Sequence, residues 1–287
     1  MESPQLSTEP HSARFDGLST RNFNRLASLI HGYAGIKMPA NKRTMLEGRL
    51  RRRLRATSIE NVNAYCDYLF EDGGADTELV HLIDAVTTNK TEFFREPAHF
   101  EFLAAKGLPT IAKSGRRTIK AWSAACSTGA EPYTVAMVIE DFCRTERGMD
   151  YTILGTDLCT EVLKLAHSGV YPEAMVAPVP MPLRKRHLMR ARDSAADVVR
   201  IKPSMRSKTA FGRLNLMDDR YPVDTEMDMI FCRNILIYFD KPTQSKVLAR
   251  LCDHLRPGGY LFLGHSESLV GVELPVDQIA NTVFRRR

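Results

Sequence analysis

Residues 118–133 read TIKAWSAACSTGAEPY, and this stretch decides the fold class of the chain. Its first half is an apolar run that predicts a strand, and small residues then lead into a helix that begins near Glu131-Pro132. Proline costs little in the first turn of a helix, and small residues let a ligand approach the backbone. The pattern is typical of a nucleotide-binding turn, but it lacks G-x-G-x-x-G, and any tight strand-to-helix turn has a similar sequence.

The alternation of strands and helices continues beyond this stretch. Strands are predicted at 118–125, 151–156, 228–232 and 259–264, and helices at about 130–145, 160–168 and 242–255. Such alternation predicts a parallel α/β sheet of the Rossmann type. Residues of about 173–213 do not fit it, because they are proline-rich and then basic and strand-like around Val198–Ile201. We interpret them as an inserted β-subdomain.

The N-terminal part has a different organisation. Residues 1–17 are rich in Ser, Pro, Thr and Glu and are expected to form a flexible tail. Residues 18–86 carry apolar side chains at helical spacing, such as Phe23, Leu26 and Ile30, which predicts a small all-α domain. A linker at 87–97 then leads to the α/β domain at 98–287.

Composition limits the classes of protein to consider. A chain of 287 residues with 44% hydrophobic residues can bury a core. It has no run of eighteen apolar residues and no signal-like start, so a cytoplasmic protein without membrane insertion is expected. The six cysteines are scattered, without metal-ligand spacing, and no metal site is predicted. The net charge of +6 suits an acidic partner.

Asp157 directly follows the second predicted strand of the sheet. Doubly wound folds place an acid at such a strand end, where it binds the two ribose hydroxyls of a nucleoside. A strand-end aspartate can instead cap the helix that begins near Thr160. Together with the turn after the first strand, Asp157 favours a nucleoside cofactor.

Five separated segments resemble the chemotaxis protein methyltransferase family, the chemoreceptor glutamate O-methyltransferases. They are TTNKTEFFRE at 87–96, WSAACSTGAEPY at 122–133, Asn215-Leu216, FCRNILIYFD at 231–240 and GHSE at 264–267. The basic stretch KRTMLEGRLRRRLR at 42–55 matches as well, and LRPGGYLF at 255–262 is typical of class I methyltransferases. The resemblance covers the chain from about residue 19 onward.

The resemblance implies a cytoplasmic bacterial enzyme with an all-α N-terminal domain, followed by a Rossmann-like class I methyltransferase domain with an inserted small β-subdomain. Such an enzyme transfers a methyl group from S-adenosylmethionine to receptor glutamates and releases S-adenosylhomocysteine. The cytoplasmic helices of methyl-accepting chemotaxis proteins are its expected partners, and a monomer is expected. The family's cofactor contacts correspond to Asn89, Thr91, Arg95, Glu131, Asp157, Asn215, Leu216, Arg233 and Asn234.

The resemblance also assigns the catalytic positions to Arg95 and Tyr238. A guanidinium can bind the cofactor's carboxylate bidentately, although Arg95 could instead form a salt bridge with Glu92 or Glu96. Tyr238 corresponds to an aromatic residue close to the transferring methyl group. In GHSE, adjacent residues of a strand point to opposite faces, so we expect a structural role there.

The basic stretch predicts a docking surface. In a helix, Lys42, Arg49, Arg52 and Arg53 fall in a band beside a leucine stripe. The resemblance implies that this face meets acidic receptor helices. A nucleic-acid methyltransferase is the alternative, because the same helix could neutralise phosphates. The absence of an Asp/Asn-Pro-Pro-aromatic motif counts against it.

Overall fold

A computed structural model describes residues 17–191 and 196–287. The chain divides into two compact units, which are described separately. The first contains the described residues up to Leu29 together with Met38–Val86, and the second contains Ile30–Lys37 and Thr87–Arg287. Most of the predicted tail at 1–17 lies outside the described residues, as do 192–195 of the predicted insertion.

The first unit is helical, as the apolar spacing predicts. Its helices are α1 (Thr20–Ala34), whose last residues belong to the second unit, α2 (Arg43–Thr57), α3 (Val62–Phe70) and α4 (Ala75–Val86). Leucines at successive turns of α2, Leu46 and Leu50, are fully buried. Asn61 caps α3 by accepting hydrogen bonds from two backbone N–H groups, which fixes where this helix begins.

The second unit has two sheets, formed by the following elements. After α5 (Ala98–Phe102) and α6 (Leu108–Lys113) come β1 (Thr118–Ala124), α7 (Ala130–Thr145), β2 (Asp150–Asp157), α8 (Thr160–Ser168), β3 (Val170–Pro172), α9 (Met181–His187), β4 (Leu188–Arg190), β5 (Val198–Ile201), α10 (Pro203–Arg206), β6 (Thr209–Arg213), β7 (Met227–Cys232), α11 (Lys241–His254), β8 (Leu255–Leu263), β9 (Val276–Ala280) and β10 (Val283–Arg286).

The larger sheet has the strand order β6-β2-β1-β7-β8-β10-β9. The five strands from β6 to β8 are parallel, and β10 is antiparallel to β8 and β9. The chain moves outward from β1 through β2 to one edge, and it returns to the other side of β1 with β7. Strand order therefore reverses between β1 and β7, where open α/β sheets bind their ligands. The predicted Rossmann-like fold is confirmed.

The sheet is buried on both faces, which explains the nearly continuous apolar runs of its strands. In β7, Met229 and Phe231 pack in the core on one face, and Ile230 and Cys232 pack in the core on the other. All six residues of this strand are buried. A strand of this kind has a strong sequence signal, so all four predicted strands of the large sheet are found.

The smaller sheet is antiparallel, with the order β3-β5-β4, and it forms the inserted β-subdomain. Its strands lie within residues 170–201. Thr209–Arg213, which the sequence places in the insertion, pairs instead with β2 at the edge of the larger sheet. This strand has little apolar character and gives a weak signal. Among the described residues, every helix is too short or too polar to cross a lipid bilayer.

Candidate active site

The carboxyl ends of the parallel strands meet at one edge of the larger sheet. Ala124 at the end of β1 pairs with Thr156 of β2, and Ser123 pairs with Phe231 of β7. The residues that follow these strands, in the stretches 125–129, 157–159 and 233–234, therefore lie side by side.

Arg233 is a buried hub at this edge. Its side chain is 1% exposed. One terminal nitrogen, Nη1, donates to Glu131 Oε2 at 2.9 Å, and Nη2 donates to Glu96 Oε2 at 2.9 Å and to the backbone carbonyl of Arg95. Removing one partner of such a buried pair costs about 3–5 kcal/mol, because the other charge is left uncompensated. Arg233 thus joins the end of β7, the start of α7 and the linker.

Glu96 is the linker's contribution to this hub. Besides Arg233, its carboxylate accepts hydrogen bonds from Asn234 Nδ2 at 3.1 Å and from the backbone N–H of His265 at 3.2 Å. Burial alone would raise the pKa of Glu96, but the hydrogen bonds from Asn234 and Arg233 lower it to about 2. Glu96 is therefore ionised at neutral pH. Its ion-pair partner is Arg233, whereas the sequence offered Glu96 as a possible partner of Arg95.

Glu267 holds the loop after β7 through hydrogen bonds to its backbone. Its buried carboxylate accepts hydrogen bonds from the backbone N–H groups of Asn234 at 2.9 Å, Leu236 at 2.7 Å and Gly264 at 2.7 Å. Burial raises the pKa of Glu267. Gly264 allows this close approach, because a Cβ there would lie 2.5 Å from Asn234 Nδ2. Glu267 of the GHSE segment thus has a structural role.

Two histidines, His99 and His265, lie near the Glu96 carboxylate. His99 Nδ1 is 3.6 Å and His265 Nε2 is 3.9 Å from Glu96 Oε2, while His99 Nε2 lies 2.8 Å from Thr282 Oγ1. Burial and the charge of Arg233 lower the pKa of His99 to about 4. The three side chains have metal-ligating atoms within 4.8 Å of one another. Arg233 already balances the carboxylate and repels a second cation at this oxygen.

Asp157 connects the ends of β1 and β2. It is buried, and its Oδ2 accepts a hydrogen bond from the backbone N–H of Ser127 at 2.8 Å, while Oδ1 accepts one from the N–H of Cys159 at 2.9 Å. The second bond forms a turn just before α8, whose N-cap residue is Cys159 and not Asp157. The Asp157 carboxylate is therefore held at the strand ends, where the sequence predicts that it binds ribose hydroxyls.

The linker lies along the same strand ends. The Asn89 carbonyl accepts a hydrogen bond from Ser127 Oγ at 2.9 Å, and Asn89 Nδ2 lies 3.4 Å from Cys159 Sγ. Thr91 is half-buried. Arg95 is also half-buried, and its Nη1 donates to the Lys90 carbonyl at 3.1 Å. The structure therefore brings Asn89 next to the loops that carry Asp157, and it brings Arg95 next to Arg233.

Three other predicted site residues, Asn215, Leu216 and Tyr238, lie in the loops that follow β6 and β7. Asn215 Nδ2 donates to the Tyr33 carbonyl at 2.7 Å, and the Tyr238 carbonyl accepts from the Lys37 N–H at 3.0 Å. Leu216 is buried, and Tyr238 is half-buried in a short 3-10 turn. Residues 30–37 thus hold both loops, a role that their sequence did not indicate.

Strained backbone concentrates around this edge of the sheet. Among the described residues, eight other than glycine have a positive φ, and five of them lie in the linker or in loops that follow the strands: Phe94, Glu96, Ala125, Ser127 and Asn234. Such conformations cost about 1–3 kcal/mol each and cluster at ligand sites. In the same turn after β1, Thr128 Oγ1 is buried without a hydrogen-bond partner. Both features indicate a site built for a ligand.

Comparison with known proteins agrees with this geometry. Two family models match, "CheR methyltransferase, all-alpha domain" over residues 21–87 and "CheR methyltransferase, SAM binding domain" over residues 89–284. The chain belongs to the CheR methyltransferase family. It is 35% identical to the chemotaxis protein methyltransferase of Borreliella burgdorferi over 86% of this chain and 88% of that one. It is 36% and 38% identical to those of Escherichia coli and Salmonella typhimurium, over 93% of this chain and 91% and 90% of theirs.

The cofactor of this CheR-family chain is S-adenosylmethionine, and the residues at the strand ends fit it chemically. Asp157 offers a carboxylate to ribose hydroxyls, the Arg95 guanidinium suits the methionine carboxylate, and the Asn215 amide can both donate and accept. The unpartnered Thr128 hydroxyl lies in the turn that approaches the nucleoside in folds of this kind. Arg233 and Glu131 differ from these residues, because their charged groups bind each other.

The basic helix α2 is only partly as predicted. Arg53 donates to Glu78 through Nε to Oε1 at 2.6 Å and through Nη2 to Oε2 at 3.0 Å, and its side chain is 16% exposed. Arg49 donates to the Val86 carbonyl, Lys42 is half-buried and Arg52 is exposed. Arg53 is therefore half-buried and paired with Glu78, which makes it a weaker candidate for the predicted docking band. Arg51 and Arg55 are exposed as well.

The sequence analysis did not single out His99, and it named Glu96 and the GHSE segment without the contacts that they make. Glu96, His99 and Glu267 act through neighbours that are distant in the chain, and no local spacing marks such contacts. Glu96 is the last residue of the segment 87–96, which carries the family resemblance, and His99 lies three residues after it. That proximity is the signal that could have found them.

Proposed function

We propose that this CheR-family methyltransferase transfers methyl groups to glutamate side chains of bacterial chemoreceptors, where the resulting methyl esters adjust receptor sensitivity in the cytoplasm. The observation that carries the proposal is the similarity to proteins named chemotaxis protein methyltransferase over most of both chains. Those names favour a protein acceptor over a nucleic acid. Within a protein, the ester-forming acceptor is a carboxylate.

The chemistry asks little of the protein beyond binding and alignment. When bound, S-adenosylmethionine supplies a methyl group on a positively charged sulfur. A glutamate side chain has a pKa near ~4.3, so it is already ionised at neutral pH and needs no general base. The displacement neutralises charge, so aligning the groups and excluding water can provide most of the acceleration.

The predicted site residues fall into two groups, those that bind the cofactor and those that shape the site around it. Asn89, Thr91, Arg95, Asp157, Asn215, Leu216 and Asn234 bind the cofactor, and Arg95 and Tyr238 also orient the two reacting groups. Arg233 and Glu131 lie in the buried hub, which supports a role in shaping the site rather than in binding through their charged ends. A guanidinium is suited to binding carboxylates rather than to accepting a proton, so Arg95 is assigned to binding and orientation.

The acidic receptor helix is bound by α2. Arg51, Arg52 and Arg55 are exposed on this helix, and their shared charge would steer and orient an acidic partner. These three arginines are better candidates than Arg53, because the Arg53 side chain is bound to Glu78. Lys42 and Arg49 are half-buried and stay secondary candidates.

The test is methylation of candidate receptor cytoplasmic domains with methyl-labelled S-adenosylmethionine. We expect label on the receptor that is released by mild base, as methyl esters are, and its loss in the Arg95→Ala variant. Base-stable label, or label only on nucleic acid supplied in a parallel reaction, would contradict the proposal. Thermal unfolding of the variant serves as the control for folding.

A further inference from the structure

We propose that Glu96 is a positioning residue for cofactor binding. It holds the linker turn at 94–96 on the carboxyl ends of β7 and β8, so that the neighbouring Arg95 side chain stands where it can bind the carboxylate of S-adenosylmethionine. The inference rests on the proposed role of Arg95 and adds the device that orients it.

The first support is the reach of the Glu96 carboxylate. Its Oε2 accepts from Arg233 Nη2 at 2.9 Å, and its Oε1 accepts from Asn234 Nδ2 at 3.1 Å and from the His265 N–H at 3.2 Å. Arg233 and Asn234 follow β7, and His265 follows β8. The Glu96 side chain thus joins the ends of two adjacent strands, and Arg95 is the residue directly before it in the chain.

The second support is the backbone of the turn itself. Phe94 and Glu96 have φ values of 55° and 58°, in the left-handed region that such residues rarely adopt. Outside contacts hold the turn in this shape. The Phe94 N–H donates to Thr134 Oγ1 at 3.2 Å, and Arg233 Nη2 donates to the Arg95 carbonyl as well as to Glu96. The backbone of Arg95 is therefore fixed from both sides.

The third support is charge. Glu96 lies between the positive Arg233 and the amide of Asn234, and the pKa of its carboxyl group is lowered to about 2 by these hydrogen bonds in spite of burial. Glu96→Gln would remove the charge but keep the size of the side chain. Arg233 would retain Glu131, so the hub would lose one anchor without leaving a cation unpaired.

The experiment measures binding rather than activity. Calorimetry with S-adenosylhomocysteine is carried out on the wild type, Glu96→Gln, Arg95→Ala and the double variant. Glu92→Gln is the matched control, because Glu92 is an exposed residue of the same linker. Glu96→Asp, which keeps the charge but reaches less far, is measured beside them in case the Gln variant does not fold. The second probe is 5′-methylthioadenosine, which lacks the cofactor's carboxylate.

We expect Glu96→Gln to weaken S-adenosylhomocysteine binding by roughly tenfold, with a smaller loss for Glu96→Asp and none for Glu92→Gln. In the Arg95→Ala background the Glu96 substitution should have little further effect, since the two residues act as one unit. Binding of 5′-methylthioadenosine should be unchanged.

Four results would overturn the inference. Unchanged S-adenosylhomocysteine affinity in a folded Glu96→Gln protein removes the positioning role. Equal weakening of both probes, or equal weakening with and without Arg95, makes Glu96 a general structural residue. If Arg95→Ala alone leaves the affinity unchanged, the proposed role of Arg95 fails first. Glutamate methylation of a receptor is measured separately. Its failure would contradict the proposed function but would not affect the comparison of binding among the Glu96 and Arg95 variants.

Discussion

Ser127 donates its backbone N–H to Asp157 Oδ2 at 2.8 Å, and this hydrogen bond ties the turn after β1 to the end of β2. The other oxygen of Asp157 is bound to the N–H of Cys159. A residue that the sequence assigned to the cofactor is thus also part of the loop structure. The two roles make separate predictions for binding and for stability.

Asp157→Ala should weaken S-adenosylhomocysteine binding by roughly tenfold or more, because hydrogen bonds to a charged group contribute about 1.5–3 kcal/mol each. It should also lower the melting temperature, because two buried N–H groups lose their acceptor. Calorimetry and thermal unfolding measure the two effects. Unchanged affinity in a folded variant would leave Asp157 with only its role in the loops.

Arg53→Ala should destabilise the helical unit by about 3 kcal/mol, because it leaves the buried Glu78 carboxylate without its cation. Tyr65, whose hydroxyl donates to Glu78 at 2.9 Å, cannot balance that charge. Arg52→Ala is the matched control, since Arg52 is exposed in the same helix, and its effect should stay within about 0.5 kcal/mol. Urea denaturation followed by circular dichroism compares them. Equal stability of the two variants would contradict the structural role of Arg53.

Reversing Arg51, Arg52 and Arg55 to Glu should raise the apparent KM for a receptor fragment without changing S-adenosylhomocysteine affinity. These side chains are exposed on α2, and attraction between opposite charges there should be strongest at low salt. Receptor methylation kinetics at two salt concentrations provide the measurement. Wild-type kinetics of the triple variant at low salt would exclude α2 as the docking surface.

His99 should make the stability of the protein depend on pH between about 6.5 and 4. Burial lowers its pKa from 6.5 to about 4, so the unfolded chain binds the proton more readily than the folded protein. Stability contributed by the neutral ring is then complete above pH 6.5 and is lost progressively as the pH falls toward 4. The loss is on the order of 3 kcal/mol.

His99→Gln removes this titration, so its stability should change less between pH 7 and pH 4 than that of the wild type. Denaturant unfolding at a series of pH values gives the comparison. His265→Gln is the control, because His265 is exposed and near the same glutamate. A wild-type pH dependence that His99→Gln leaves intact would assign the titration to another group.

How much the sequence predicted depended on how local the signal was. The four strands and three helices that the sequence predicted for the α/β domain are found, because β1, β7 and β8 are buried on both faces and have strong apolar runs. Thr209–Arg213 was misplaced because an edge strand with few apolar residues gives no such signal. The strand-end position of Asp157 was likewise readable from the sequence.

Contacts between residues that are distant in the chain could not be predicted from the sequence. The carboxylate of Glu96 meets groups more than a hundred positions away in the chain, and Arg53 meets Glu78 across two helices. Helical periodicity places Arg53 in the same band as Arg52, but it does not say which of the two has a buried partner. Pairing of charges inside a fold is set by tertiary packing, so only the structure separates these two arginines.

The proposed chemistry is the alignment of an ionised carboxylate with the methyl donor, without proton transfer by the protein. Tyr238 is half-buried in a short 3-10 turn after β7, and its proposed role is to orient the reacting groups with its ring. The most direct measurement is kcat for methylation of a receptor fragment from about pH 6 to pH 9, where glutamate stays ionised. It compares wild type, Tyr238→Phe and Tyr238→Ala. We expect Tyr238→Phe to keep more activity than Tyr238→Ala, with a pH profile parallel to that of the wild type. Equal inactivity of the two variants, or a wild-type titration that Tyr238→Phe abolishes, would contradict the account.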